Sequence, residues 1–384
     1  MKILMMSPFY YPHTGGTEKY VRDLSIALVE KGHDVTIMCA NLPFSKRGKK
    51  EEVKDGVKIV RFPAFELLYL PIAFGFKRKM TKDFDIIHVH CPPYGFVREM
   101  AGKVPQPVVA TFHCDITLTG KFFGIPVPRV VTWLLDTFGK FYATRHLPKV
   151  DEIITTTESY AAGSPVMKDF PRNPIPIGIH YDKIDKVIAE EGIDVVKKKA
   201  GQILFLGRLA ANKGVNFLIK AMPKILEKHP EAKLVITGEG EEKKSLVSLI
   251  KKLGIESYVT FYGIIDFKTL VRLYAESNMF VLPSINSLEA FGIVQLEAMA
   301  CSTPVVASDI RGVNSVAGKG GLIAPKEDPS ALADAIITIL DNPQKAREMG
   351  IEGRKLVETK YVWPLIVKQV EAVYKKAMDK KKGK

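Results

Sequence analysis

The chain repeats one pattern many times over: four to six consecutive apolar residues, a turn, a helix-period segment, then another apolar run. In the first half, residues 2–6 predict a strand, 18–31 an amphipathic helix and 35–40 a second strand. Residues 86–90, 108–112 and 152–156 are further short apolar runs. Runs this continuous suit parallel strands covered on both faces. Their alternation with helices predicts a doubly wound α/β sheet.

The rhythm restarts after residues 195–199, which read as a lysine-rich helix. Residues 203–206, 234–237, 259–261, 279–282 and 305–307 then predict strands. Residues 217–228, 242–253, 269–277, 294–300 and 330–340 predict the helices between or after them. Two α/β halves in 384 residues imply two Rossmann-like domains: residues 1–184 and 185–360. Residues 361–384 follow, with a helix over 363–378 that has no partner strand and a lysine-rich tail read as frayed. That helix is expected to fold back across the first domain.

Composition removes several classes. With 46% hydrophobic and 26% charged residues, the chain is neither disordered nor collagen-like. Cys39, Cys91, Cys114 and Cys301 show no CxxC spacing, which argues against a zinc ribbon or disulfide scaffold. Pro8 interrupts the N-terminal apolar run, and no stretch of 18 apolar residues follows. Neither a signal peptide nor a membrane span is expected, so the expected location is cytoplasmic. The net charge of +14 divides as +7 in residues 1–184 and +7 in 185–384. No domain then reads as a nucleic-acid binder. An anionic substrate or membrane surface remains a fitting partner. Only 5 Gln and 8 Asn accompany abundant Lys and Glu, a leaning toward thermophilic composition.

Two stretches break the rhythm. Residues 65–79 are apolar and aromatic, then basic, and residues 117–148 interleave Phe122, Phe123, Trp133, Phe138 and Phe141 with Lys121, Arg129, Lys140 and Arg145. Such segments either rest on an anionic bilayer or pack on a core with basic ends reaching water.

Four clusters carry chemistry. Residues 284–297 read SINSLEAFGIVQLE: a strand ends, a loop bears Glu289, and Phe291, Gly292 and Ile293 open a helix that carries Glu297. A helix N-terminus offers unpaired N–H groups to an anion, and Gly292 allows close approach. Glu289 is placed to bind sugar hydroxyls and Glu297 a ribose. The plain alternative is a capped helix with solvated glutamates. Gly207 and Arg208, then Lys213, follow the strand at 203–206, where a doubly wound sheet holds its ligand. Together the two cations suit a diphosphate; alternatively they are solvated loop cations. Gly15, Gly16 and Thr17 follow the first strand, permitting backbone approach to an anion, but lack a Walker ending. The TFHCD stretch puts His113 at a strand end. A zinc set built from His88, His90, Cys91, His113 and Cys114 is not required by their spacing.

Together these residues resemble the retaining glycosyltransferases of family 4, whose GT-B fold sets two facing Rossmann-like domains with a C-terminal helix crossing back. The matching stretches are Gly15 and Gly16, KGHDV at 31–35, DIIHVH at 85–90 and TFHCD at 111–115. They continue with GRLAANKG at 207–214, TGEGEE at 237–242, VTFYG at 259–263, and the run from Pro283 to Ser308. Family members often carry Asn-Gly and then an acidic residue where Ile177 and His180 stand here.

The resemblance implies transfer of a hexosyl group from a UDP- or GDP-sugar to an acceptor hydroxyl, with retained configuration and no metal or other cofactor. The first domain would bind the acceptor and the second the donor. Arg208 and Lys213 would grip the diphosphate, with Gly207 in the same turn. Glu289, Phe291, Gly292 and Ile293 would hold the sugar and Glu297 the ribose. Gly263 and Ile264 would lie against the base. Gly15 and Gly16 would approach the phosphate, and His113 would touch the donor sugar. The aromatic, basic stretches favour a lipid or cell-envelope glycan acceptor and peripheral contact with the inner face of a membrane, a soluble saccharide staying open. A non-catalytic nucleotide-sugar module, a phosphorylase and an epimerase are the competing readings.

Overall fold

The computed structural model describes all residues except 14, 43–47, 68–69, 116–120, 123–124, 127–128 and 384. Parts of the two segments at 65–79 and 117–148 therefore lie outside the described residues. The chain forms two compact units. One comprises Met1–Leu118, Arg129–Gly178 and Trp363–Lys384; the other comprises Thr119–Pro128 and Ile179–Val362. The expected boundary at 184/185 falls inside a helix, Tyr181–Glu190. The division comes a few residues earlier, at Gly178, where a Cβ would meet the Trp363 ring at 2.7 Å.

The first unit is built on an eight-stranded sheet. Its order is Asn173–Pro174, Glu152–Thr155, Val108–Phe112, Ile86–Cys91, Lys2–Ser7, Asp34–Ala40, Val57–Phe62, Glu51–Lys54. All neighbours are parallel except the last pair. That edge hairpin turns on Asp55 (φ 52°) and Gly56 (φ 75°). Two left-handed residues in a two-residue loop match the twist of the strands they join. The helix Gly16–Glu30 buries Tyr20, Val21, Leu24 and Leu28, one helical stripe.

The final helix, Trp363–Lys382, buries Trp363, Ile366, Val367, Val370, Val373, Tyr374 and Ala377 in the first unit. It runs past the predicted end at 378, and the lysine tail is not frayed. Lys376 bonds Glu152 Oε2 at 2.8 Å and Lys380 the Asp151 carbonyl at 2.6 Å.

The second unit holds six parallel strands in the order Val259–Gly263, Lys233–Thr237, Gln202–Leu206, Met279–Leu282, Val305–Ser308, Gly321–Ala324. The third, second and first strands lie on one side and the fourth to sixth on the other. The chain thus reverses its winding between Gln202–Leu206 and Met279–Leu282, the position where open α/β sheets take ligands. The helix Val215–Lys228 packs Leu218, Ile219, Met222 and Ile225 onto this sheet, opposite Leu332, Ile336 and Ile337 of Pro329–Leu340.

The helix expected over 195–199 does not form. Asp194 Oδ1 accepts from Val196 N–H at 2.9 Å, a local bond that competes with helix. Lys198, half-buried, donates instead to the Ala275 carbonyl (2.8 Å) and Thr303 Oγ1 (3.0 Å). The helix Pro343–Lys360 and the strand Gly321–Ala324 were not foreseen. The helix carries its own start signal: Asn342 Oδ1 accepts from Lys345 N–H at 3.0 Å, with Pro343 in the first turn.

Candidate functional site

At the reversal point of the second unit, two loops meet. The loop after Gln202–Leu206 carries Gly207, Arg208 and Lys213; the loop after Met279–Leu282 carries Ser284 and Glu289. Ile285 N–H donates to the Asn212 carbonyl at 3.0 Å. Gly214 is left-handed (φ 65°), and a Cβ there would collide with the Pro283 carbonyl, so only glycine lets the loops touch. Lys213 Nζ consequently donates to Glu289 Oε2, and Ser284 Oγ donates to the same oxygen at 3.4 Å. Lys213 and Glu289 expose 21% and 13% of their side chains. The pair is shielded but reachable.

Gly292 (φ 75°) caps the helix Ile293–Ala300. A Cβ there would meet Gln295 Nε2 and Leu282 Cδ2 at 2.6 Å each, so both the backbone conformation and the packing demand glycine. Among the described residues, no acceptor faces the Ile293 and Val294 N–H groups. They stand ready for an anion at the positive end of the helix dipole. Phe291 is buried against Tyr361, with ring centroids 6.1 Å apart, which anchors the turn.

Glu297, a turn further on, is buried, and Tyr274 Oη donates to its Oε2 at 3.0 Å. One carboxylate oxygen is thus already engaged by the protein. Tyr274 reads in the sequence as one apolar position of an amphipathic helix, so its hold on Glu297 carries no separate sequence signal.

The residues expected to lie against a base, Gly263 and Ile264, sit at the end of the strand Val259–Gly263. Gly238 N–H donates to the Gly263 carbonyl at 2.7 Å, and Leu209 N–H to the Glu239 carbonyl at 2.9 Å, lacing three strand-end loops together. Ile264 is 84% exposed, an apolar surface awaiting a cover. Arg208 is mostly exposed, and among the described residues its side chain bonds the likewise exposed Glu241 at 3.3 Å.

The predicted residues of the first unit form a different environment. Gly15 caps the helix Gly16–Glu30 with extended backbone, and a Cβ at Gly16 would meet nothing within 4 Å. His113 belongs to a buried stack with His88 and His90. His88 contacts Tyr374 Oη (2.7 Å) and Thr111 Oγ1 (2.6 Å); His90 Nδ1 lies 3.1 Å from His113 Nε2. Burial lowers all three histidines: His88 to about 3, His113 to about 4, and His90 well below its ordinary value. All three are neutral near pH 7. Among the described residues, no group of three His, Cys, Asp or Glu side chains is arranged to hold a metal ion. The four cysteines are free thiols.

Asp115 fixes the loop that carries His113. It accepts from Ser164 Oγ (2.6 Å) and Tyr160 Oη (3.1 Å), while its own N–H donates to Tyr160 Oη (2.7 Å). Burial raises the Asp115 pKa, and these two hydroxyls oppose the rise.

Known proteins resemble this chain along most of its length. Residues 189–356 match the model of glycosyl transferases group 1, and residues 14–175 that of glycosyltransferase family 4. An uncharacterized glycosyltransferase of Methanocaldococcus jannaschii is 30% identical over 99% of both chains. The chain belongs to the family-4 glycosyltransferases of GT-B fold. This glycosyltransferase is also 27% identical to the phosphatidyl-myo-inositol mannosyltransferase of Mycobacterium leprae, over 97% of the chain and 96% of the relative. Among solved structures, Anabaena HepE in complex with UDP-glucose superposes with a TM-score of 0.70 at 18% identity, covering 97% of this chain and 99% of that one.

Proposed function

We propose that the enzyme moves a hexosyl group from a UDP- or GDP-sugar to an acceptor hydroxyl, with retention of configuration and without a metal ion. The observation that carries this reading is the convergence of Lys213, Glu289 and the open N-terminus of Ile293–Ala300 at the sheet's reversal point. As the bond from sugar to diphosphate breaks, negative charge grows on the departing phosphate oxygen. Lys213, Arg208 and the Ile293 and Val294 N–H groups are the donors that would meet it. Fixed donors of this kind are worth about 3–4 kcal/mol each at a transition state. Glu289 would take hydroxyl hydrogen bonds from the sugar. Glu297 would bind a ribose hydroxyl, and Ile264 would lie against a base face. The leaving phosphate oxygen would itself receive the acceptor proton, so attack from the departing face needs no enzyme nucleophile. In the first unit, the open space at Gly16, beside Gly15, suits a phosphate. His113 is assigned a contact with the donor sugar.

A lipid-linked or envelope acceptor is supported by the helix Arg129–His146. Val130, Trp133 and Phe141 are each at least 60% exposed. Nearby, the pKa of His146 is lowered by burial and then by Lys149, Lys103, Arg145 and Arg98, four cations around one ring. An apolar face beside concentrated positive charge suits an anionic bilayer surface. The mycobacterial relative's named substrate is also a phospholipid. No described helix is long and apolar enough to cross a membrane.

The test is a thermal-shift screen of nucleotide-sugars, followed by turnover assays in excess EDTA. A donor at 100 times its dissociation constant adds about 2.7 kcal/mol to native-state stability, an easily read shift. No shift with any UDP- or GDP-sugar would sink the donor assignment. Activity lost in EDTA and restored by a divalent ion would sink the metal-free mechanism.

A further inference from the structure

We infer that Met5 and His90 fix the tautomer of His113, so that its ring presents a bare Nδ1 that accepts a hydrogen bond from a sugar hydroxyl. The inference rests on the proposed sugar contact of His113, and it assigns the direction of that contact and the residues that set it.

The argument follows a chain of three side chains. His90 Nε2 lies 3.4 Å from the Met5 sulfur, and both residues are fully buried. A thioether sulfur only accepts. The facing nitrogen is therefore satisfied only as an N–H; a lone pair there would point at sulfur lone pairs. His90 is neutral, with burial as the largest cause, so it carries one proton. With that proton on Nε2, its Nδ1 is an acceptor. His113 Nε2, 3.1 Å away, must then be the donor. His113 is neutral as well, since burial lowers it to about 4 and outweighs the opposing pull of Glu18. Its single proton is spent on His90, and Nδ1 is left bare.

Packing holds the rings in this relation. The His90 and His113 rings lie 27° from parallel with centroids 5.4 Å apart. Tyr20 stands edge-on against both, at 5.8 and 5.1 Å, and the His88 ring centroid lies 4.4 Å from that of His90. The backbone joins in: His113 N–H donates to the Cys91 carbonyl at 2.8 Å, tying the His113 loop to the strand that carries His90. Among the described residues, no hydrogen bond engages His113 Nδ1, and the residue keeps 7% of its surface exposed. A fixed acceptor rejects any sugar whose hydroxyl at that place is replaced by fluorine, which cannot donate. His90 and Met5 are positioning residues, acting through His113.

The experiment uses long-range proton–nitrogen NMR on full-length enzyme labelled with 15N-histidine, without ligand. The wild type should show His113 protonated at Nε2 and bare at Nδ1. Met5→Leu conserves volume and should fold, but removes the sulfur acceptor. Its His113 spectrum should move toward a tautomer mixture. Turnover of UDP-glucose or GDP-mannose, whichever is the better donor, should fall about three- to tenfold, the size of one misdirected hydrogen bond. Binding of the free nucleoside diphosphate should not change. A wild-type His113 protonated at Nδ1, or a Met5→Leu spectrum identical to wild type, overturns the inference. A shifted tautomer with unchanged turnover overturns the positioning role. If neither donor is turned over by wild type, the proposed donors fail, while the spectra still decide the tautomer.

Discussion

The two units carry the same kind of sheet but treat their polar groups in opposite ways. The second gathers charges at the reversal point and leaves them within reach of solvent: Lys213 on Glu289, Arg208 on Glu241, a helix end with no side-chain cap. The first buries three histidines in a stack and strips them of charge. Charge at a shielded but open site can answer charge that develops on a substrate. Neutral, buried rings cannot do that, but they hold direction. Under the proposed function, stabilisation of the leaving group would fall to one unit and orientation to the other.

The strongest way to break that assignment is to remove the charged pair. Lys213→Ala and Glu289→Gln should each lower turnover about 10²- to 10³-fold, the cost of losing one preorganised donor in the first case and one charged acceptor in the second. Circular dichroism and melting temperature should stay close to wild type, because the loops are tied by backbone bonds such as Ile285 N–H to the Asn212 carbonyl. Near-normal turnover in either variant would move the chemistry elsewhere.

Gly16→Ala probes the first unit in a way that separates folding from binding. A Cβ at Gly16 meets no atom of the protein within 4 Å. Alanine is the better helix former, so stability should hold or rise, by at most about 1 kcal/mol. A donor phosphate approaching this backbone would meet the new methyl group. Activity should fall at least about tenfold through clash alone. Full activity would show that nothing approaches Gly16 closely.

The buried histidines also make a pH prediction with a definite sign. Their folded pKa values lie below the ordinary 6.5, near 4 for His113 and 3 for His88. Below pH 6.5 the unfolded chain takes up protons that the folded chain refuses. The stability these groups contribute is therefore complete above pH 6.5 and lost as pH falls toward 4. His113 alone accounts for about 3 kcal/mol across that window. Both tryptophans, Trp133 and Trp363, belong to the first unit, and Trp363 is buried. Acid titration followed by tryptophan fluorescence should show that unit loosening between pH 6 and 4. His113→Gln should flatten the curve. An unchanged slope would show that the stack does not govern acid stability.

How much of this was legible in the sequence depends on the range of the interaction. Continuous apolar runs located the expected strands to within a residue or two, since a strand buried on both faces needs little else; the edge hairpin of Glu51–Lys54 and Val57–Phe62, whose runs are broken by charged residues, was missed along with Gly321–Ala324. Gly292 and Gly214 were legible as glycines of a strand-to-helix turn, although the collision each avoids was not. The segment at 195–199 misled because its lysines suggest helix while Lys198 answers carbonyl and hydroxyl groups distant in sequence. The tail lysines misled likewise, because Asp151 and Glu152 wait for them on a strand more than two hundred residues earlier. Glu297 read as a free ribose ligand; its partner Tyr274 comes from another helix. The pairing of His90 with Met5 had no sequence signal, because it depends on strand order.

The smallest expected effect concerns the exposed rim of the charged site. Arg208 and Glu241 are 62% and 45% exposed and 3.3 Å apart. Such a pair contributes about 0–1 kcal/mol to stability, because water solvates both groups nearly as well. Glu241→Gln should therefore leave the melting temperature unchanged. It should also leave Arg208 free, with its charge no longer shared, so the apparent affinity for a nucleoside diphosphate should hold or rise by about twofold. Arg208→Ala should weaken the same binding sharply while stability again stays flat. If the two variants weaken binding equally, Glu241 orients Arg208 toward the ligand rather than competing for it, and the rim becomes an ordered part of the site. If neither variant alters binding, Arg208 is a surface cation, and the diphosphate is held by Lys213 and the helix end alone.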